Sequence, residues 1–234
     1  MNKLLVFFCF ISTLTFAQKK VWLDTDLMIG LPERAPREVD DGVTLMMALQ
    51  HPDKINLVGI STITYADYGY ETAQKLLRWY SRGKTIPVYK GSDKADDMGT
   101  ENDATRALAE ALQKEKLTIL AIGPLTNIAT LLKNHPELAS QIEEVVVCAG
   151  RTPGYSFKPG LEKIIVFDYN FEKDVESFRT VLDAGVKMVL SGFECSVYLF
   201  LGKTDFEFLN NRFQGDKWVY DQLTPWALRG KKLF

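Results

Sequence analysis

The sequence predicts an α/β protein, an open and mostly parallel doubly wound sheet in a single domain. Three observations carry that expectation. Short, near-continuous apolar runs recur along the chain, which is how strands buried on both faces read. Stretches with helical spacing separate these runs, as in successive βαβ units. No internal repeat, low-complexity segment or linker divides the 234 residues, and 46% hydrophobic content suffices for one sizeable core.

In order, the first residues, MNKLLVFFCFISTLTFAQ, have the pattern of a secretory signal. Lys3 gives the positive start, Leu4 to Leu14 the apolar stretch, and Thr15-Phe16-Ala17 a small-residue cleavage site before Gln18. This predicts an exported chain, periplasmic or secreted, with residues 1–17 removed and 18–234 forming the domain. The apolar run is too short for a comfortable membrane span, so no membrane association is expected after cleavage. Val21, Trp22 and Leu23 then form a strand that meets Asp24 and Asp26. Asp40 and Asp41 follow a long loop and open a helix-compatible run, where either is placed to cap the first turn.

INLVGISTI (55–63) reads as a buried strand, and 70–83 as a helix with Leu76, Leu77 and Tyr80 inward and Gly83 as its stop. IPVYKG (86–91) is a short strand. DKADDMGTEND (93–103) reads as a solvated acidic loop, and a helix covers 103–115. LTILAIG (117–123) is a strand. The helix at 124–134 starts on Pro124, whose missing N–H has no partner to lose there. VVVCAG (145–150) is a strand, 151–163 a Gly/Pro-containing loop, 171–185 a helix with Val175, Phe178, Val181 and Leu182 inward, and VKMVLSG (186–192) a strand. The tail from Asp205 reads as helical. Its Trp218, Tyr220, Trp226, Leu228 and Phe234 are expected to lack cover.

Composition narrows the function. Charge is nearly balanced, at −2 overall, with no basic stripe, so nucleic acid is not an expected partner. After signal removal two cysteines remain, Cys148 and Cys195, each at the end of an apolar run where free thiols are common. His51 and His135 each follow a helix and face away from the strand ends. No G-x-S-x-G elbow, P-loop or G-x-G-x-x-G is present.

Ligands of open α/β sheets bind beyond the carboxyl ends of the strands. The polar residues at those ends are Asp24, Asp26, Thr62, Thr64, Asn127, Asp168 and Asn170. They are acceptors, hydroxyls and amides, an inventory suited to a polyol such as a sugar. If the loop from Asp26 to Asp40 folds back, four carboxylates converge. That density needs a proton or a cation, and oxygen donors suit Ca²⁺ or Mg²⁺.

VWLDTD…VDDGVTLMMAL, then LVGISTI, LAIGPLTNIATLL and FDYNFEKD, resembles the inosine-uridine-preferring nucleoside hydrolase family, in that family's motif order over about 20 to 195. The resemblance implies Ca²⁺-dependent hydrolysis of the N-glycosidic bond of ribonucleosides, with a small-molecule nucleoside or riboside as partner. Asp26 and Asp41 resemble the calcium ligands, and Thr126 the residue that lends its backbone carbonyl. Asp40 resembles the general base. Asp24, Asp168 and Asn170 resemble the residues around the sugar, with Asp168 in place of a glutamate. The family often forms dimers or tetramers, though nothing in the sequence marks a homo-oligomer interface.

Three departures stand beside the resemblance. Leu27 to Val39, thirteen residues, intervene where the family's first motif is compact. Tyr65-Ala66 stand where the family has Gly-Asn. The family's C-terminal acidic ligand has no counterpart before Phe234, so the chain is expected to be a shortened member lacking the C-terminal part, and its activity is left open. A sugar- or nucleoside-binding relative without turnover is the alternative. A haloacid dehalogenase-type phosphatase, built on Asp24 and Asp26, is a further one. Against it, Asp40 and Asp41 come too early and no lysine follows a strand in the expected place.

Overall fold

The computed structural model describes residues 18–32, 39–155, 167–196, 203–210 and 212–233. The expected export signal (1–17), part of the long acidic loop (33–38) and the end of the Gly/Pro loop with the first residues of IIVFDYN (156–166) lie outside the described residues.

Lys19–Thr25 forms β1, and Asp40–Gln50 forms α1. Ile55–Thr62 is β2, Ala66–Tyr80 is α2, and Val88–Lys90 is β3. Asp103–Lys114 is α3, Leu117–Ala121 is β4, Thr126–Asn134 is α4, and Ile142–Val147 is β5. Tyr169–Glu172 is α5, Val175–Asp183 is α6, and Met188–Leu190 is β6. Phe193–Ser196, Lys203–Asn210 and Gln214–Leu233 are α7, α8 and α9. None of the described helices is long and apolar enough to cross a membrane.

Six strands pair in the order β3-β2-β1-β4-β5-β6, and every pairing is parallel. The chain builds outward from β1 to one edge, then returns to lay β4 against the other side of β1. The reversal opens a crevice at the carboxyl ends of β1 and β4. The α/β class read from the sequence is therefore the observed one.

Alternation along β1 divides the core. Val21 and Leu23 enter an apolar cluster with Leu45, Ile60, Ala73 and Leu76, while Trp22 enters the opposite one with Leu108, Leu117, Ile119 and Ile128. The Trp22 ring lies across β2 at Gly59, where an added Cβ would come within 2.3 Å of it. The indole N–H donates to Ser61 Oγ at 2.8 Å.

Several expectations are revised. α2 begins at Ala66, earlier than its apolar spacing suggested, because Asp93 accepts a hydrogen bond from the Ala66 N–H at 2.8 Å. That carboxylate, read as solvated, belongs to a helix start. The expected helix at 171–185 breaks at Asp174, which accepts from the Ser177 N–H at 3.1 Å and begins α6. On α6, Val181 is buried, but Val175 and Leu182 are 39% and 58% exposed. The helix packs on α4 beside the sheet's edge, and its outer flank meets no layer among the described residues.

The tail is also better covered than expected. Val219 and Leu223 of α9 are buried with Leu27, Ile29, Val39 and Leu45. Trp218 packs against Trp79 at 5.7 Å, and Tyr80 donates its hydroxyl to Asp216 at 2.7 Å. Trp226 stays 40% exposed. The start of the long acidic loop is thus not a surface excursion: Leu27, Met28, Ile29 and Leu31 are all buried. Gly30, at φ +77°, passes under Gln222 and Trp218, where a Cβ would meet Gln222 Oε1 at 2.9 Å.

Candidate active site

At the end of β1, Asp24 is fully buried. Its Oδ1 accepts from Ser61 Oγ and, at 2.8 Å, from Asn127 Nδ2, while its Oδ2 has no hydrogen-bond partner. Burial pushes its pKa up to about 6, against the two hydrogen bonds that favour the charged form. The same Asn127 accepts from the Ser92 N–H at 2.9 Å and reaches the Thr62 carbonyl at 3.3 Å. It therefore ties β1, β2 and the segment after β3 together. Gly91 leaves room for it, since a Cβ there would stand 2.3 Å from Asn127 Nδ2.

Asp26 is buried beside Gly123, where a Cβ would come within 3.0 Å of Asp26 Oδ1 and 2.8 Å of Ile63 Cγ2. The ends of β1, β2 and β4 meet there. Asp40 and Asp41 lie in the first turn of α1; the N-cap residue Val39 makes no side-chain bond, and the Asp40 carboxylate accepts first-turn N–H groups in its place. Asp41 is buried and accepts from Thr25 Oγ1. Asp40 keeps solvent access, yet loss of hydration among its protein neighbours raises its pKa, against hydrogen bonds from its own N–H and that of Asp41.

Thr126 is the first residue of α4 and donates its hydroxyl to the buried Asp174. Asp168 caps α5, accepting from the Phe171 N–H at 3.2 Å and from the Gly150 N–H. Asn170 spends both amide hydrogens on backbone carbonyls, Ile122 at 2.7 Å and Cys148 at 2.9 Å, so only its oxygen stays available to a ligand.

Cys148, just past β5, marks where these groups converge. Burial, then the charges of Asp40, Asp41, Asp168 and Asp26, push its thiol up to about 12. Cys148 and Cys195 are free thiols, as the sequence led us to expect. His51 and His135 both sit at helix C-caps away from this crevice.

Each sequence-predicted site residue thus lies at one end of the sheet. Sequence reasoning missed Ser61, Thr25, Asp174 and Cys148. Ser61 and Thr25 carried a signal, as polar residues at the ends of buried strands. Asp174 carried one as the Asp of a D-x-x-S helix start.

The turn after β2 is strained. Thr64 and Tyr65 are both left-handed, with φ of 52° and 55°. A non-glycine residue there costs about 1–2 kcal/mol.

Apart from the Cys148 thiol, the donors near Asp26 and Asp41 are oxygens, and the buried Asp24 Oδ2 is without a partner. In kind they fit a hard cation such as Ca²⁺. Among the described residues, however, no three His, Cys, Asp or Glu side chains stand close enough together to hold a metal ion.

An open doubly wound sheet with an acidic, oxygen-rich crevice at its switch point is the frame of a ligand-binding α/β protein. The sequence profile described as inosine-uridine preferring nucleoside hydrolase matches residues 21–228, and the chain belongs to that family. It is 28% identical over 188 residues to the pyrimidine-specific ribonucleoside hydrolase RihA of Escherichia coli O1:K1. That alignment takes in 66% of this chain and 57% of the relative, so the chain spans little more than half the relative's length. A plant nucleoside hydrolase, PpNRh1, superposes with a TM-score of 0.72 at 20% identity, covering 92% of this chain and 72% of that one. An inosine-uridine preferring nucleoside hydrolase from Bacillus anthracis gives 0.68 at 22% identity, covering 89% and 76%. These likenesses establish the fold. The family match favours the hydrolase reading over the phosphatase one.

Proposed function

We propose that the protein hydrolyses the N-glycosidic bond of ribonucleosides, giving base and ribose. The observation that carries this is the placing of the buried Asp24, Asp26 and Asp41 beyond the carboxyl end of β1, at the switch point of a family member's sheet. Asp26, Asp41 and the Thr126 carbonyl would hold Ca²⁺. When bound, the ion would supply Lewis-acid activation of water and an anchor for the sugar diol.

The chain's own groups do the rest. Asp40, with its raised pKa, takes the proton of the attacking water. Asp168 accepts hydrogen bonds from sugar hydroxyls, and Asn170 accepts through the one polar atom its backbone bonds leave over, while Asp24, fully buried, braces the floor beneath them through Ser61 and Asn127. Carboxylates beneath the sugar favour the positive charge that develops as the glycosidic bond breaks. Residues 1–17 have the composition of an export signal, and we extend the proposal to a periplasmic or secreted location.

The test is release of free base from inosine and from uridine with Ca²⁺ present. Asp40→Asn is expected to lower the rate by roughly 10²–10⁴-fold. Calorimetric titration of Ca²⁺, with Asp41→Ala as control, separates loss of metal from loss of the base. A second reading, nucleoside or sugar binding without turnover, is favoured by the lack of a three-residue metal group among the described residues. Ribose binding by a chain that cleaves neither nucleoside would establish it instead.

A further inference from the structure

We propose that Asp174 is a positioning residue for the crevice: by holding the Thr126 hydroxyl it fixes the wall segment 122–126, and with it the Thr126 carbonyl. The proposal rests on the Ca²⁺ assignment made above. Asp174 is 4% exposed and Thr126 1% exposed, and the Thr126 hydroxyl donates to Asp174 Oδ2. The other oxygen, Oδ1, accepts from the Ser177 N–H at 3.1 Å and starts α6.

Neither helix needs the bond to Thr126. The cap of α6 uses one oxygen, and serine or asparagine caps a helix about as well as aspartate does. The N-cap of α4 is Leu125, with no side-chain bond, and the Thr126 hydroxyl leaves its own helix to reach a residue 48 positions later. Burying a carboxylate costs free energy unless its oxygens are hydrogen-bonded. The second oxygen of Asp174 is therefore explained by what it holds, and not by the helix it begins.

What it holds is one end of a wall. Asn170, four residues before Asp174, donates to the Ile122 carbonyl at 2.7 Å and to the Cys148 carbonyl at 2.9 Å. The segment from Ile122 to Thr126 is thus tied at its first residue by Asn170 and at its last by Asp174. Within it, the Ile122 N–H donates to the Asp24 carbonyl at 2.9 Å, and Gly123 passes so close to Asp26 that a Cβ would come within 3.0 Å of its Oδ1. Asp174 stands on the same short stretch as Asp168 and Asn170. Its bond to Thr126 therefore joins the groups assigned to the sugar with those assigned to the ion. An outer partner of this kind sets the place of a ligating atom without touching the metal.

The experiment compares the full chain with Asp174→Ser, Asp174→Asn and Thr126→Val. Serine keeps the cap of α6 but has no second oxygen for Thr126; asparagine keeps the cap and turns its amide N–H on the Thr126 hydroxyl. Valine has the shape of threonine without the hydroxyl and leaves the backbone carbonyl in place, so it reads the same bond should Asp174→Ser fail to fold. Ca²⁺ is titrated by calorimetry, and amide hydrogen exchange and melting are followed in EDTA. Asp174→Ser and Thr126→Val are expected to weaken Ca²⁺ binding by roughly 10–100-fold. Both are expected to speed exchange in the first turns of α4 while α6 keeps its protection. Asp174→Asn is expected to bind Ca²⁺ within about threefold of the parent. Parent-like Ca²⁺ affinity in folded Asp174→Ser or in Thr126→Val would overturn the inference alone, whatever the melting temperature does, because Asp174 would then be a helix cap and nothing more. So would an equal loss in Asp174→Asn and Asp174→Ser, because the bond to Thr126 would then not be the cause. A parent that binds no Ca²⁺ overturns the Ca²⁺ assignment, and this inference with it.

Discussion

Replacing Asp24 by Asn measures how strongly the site opposes folding. The carboxylate is fully buried, with Ser61 and Asn127 on one oxygen and no partner on the other. Its pKa rises from 3.8 to about 6 on folding. The folded state therefore holds the proton more tightly than the unfolded chain does. Below pH 3.8 the group is neutral in both states and carries no penalty. As pH climbs from there to about 6, the unfolded chain ionises first and stability falls. The difference of roughly two pKa units corresponds to about 3 kcal/mol, fully developed near neutral pH. For a domain of this size that lowers the melting temperature by roughly 6–12 °C. Asp24→Asn keeps the amide oxygen for Ser61 and Asn127. It leaves a buried N–H group unpartnered, at about 1–3 kcal/mol independent of pH. In EDTA, urea unfolding from about pH 4 to pH 8 should show the wild type more stable at the acid end and the two proteins converging at the other. Parallel stability profiles would refute the reasoning, because the penalty would then not come from this carboxylate.

Other substitutions follow from the same geometry. Gly91→Ala drives a Cβ into Asn127 and the Thr62 carbonyl, 2.3 to 2.5 Å away; thermal unfolding should show a loss of about 1–3 kcal/mol. Leu223→Ala empties a site shared with Leu27 and Ile29 and should lose about 2–5 kcal/mol in urea unfolding, largely as faster unfolding if α9 docks late. Thr25→Val removes the hydroxyl on Asp41. Stability is expected to fall by about 1–3 kcal/mol, and Ca²⁺ affinity in calorimetry with it. With its thiol pushed up to about 12, Cys148 should resist alkylation at about pH 8 while the exposed Cys195 reacts; peptide mass spectrometry reads both.

The strands and the crevice were legible because both are local signals. A strand buried on both faces must be apolar throughout, and Asp24 and Asp26 stand where such a run stops. The inward face of α2 was legible for the same reason, since Leu76, Leu77 and Tyr80 share one side of a helix and all are buried. What escaped depends on partners distant in sequence. Asp41 reads locally as a helix cap, yet Thr25 engages its carboxylate. Asp174 breaks an otherwise continuous helical pattern because it serves Thr126, 48 residues earlier. Leu182 has inward spacing but lies on a helix beside the sheet's edge, so spacing alone could not bury it. The run Leu27 to Leu31 reads as loop, because the helix that buries it comes from the other end of the chain.

That last pairing has a consequence for exchanging parts between relatives. The segment after Asp26 and the helix at Gln214–Leu233 shield each other: Leu27 and Ile29 need Val219 and Leu223, and Gly30 makes room for Gln222 and Trp218. A chimera that shortens the first while keeping the second would present a greasy groove to water, and the reverse swap would do the same from the opposite side. The two pieces form one inheritable unit, and the crevice wall at Asp26 moves with them.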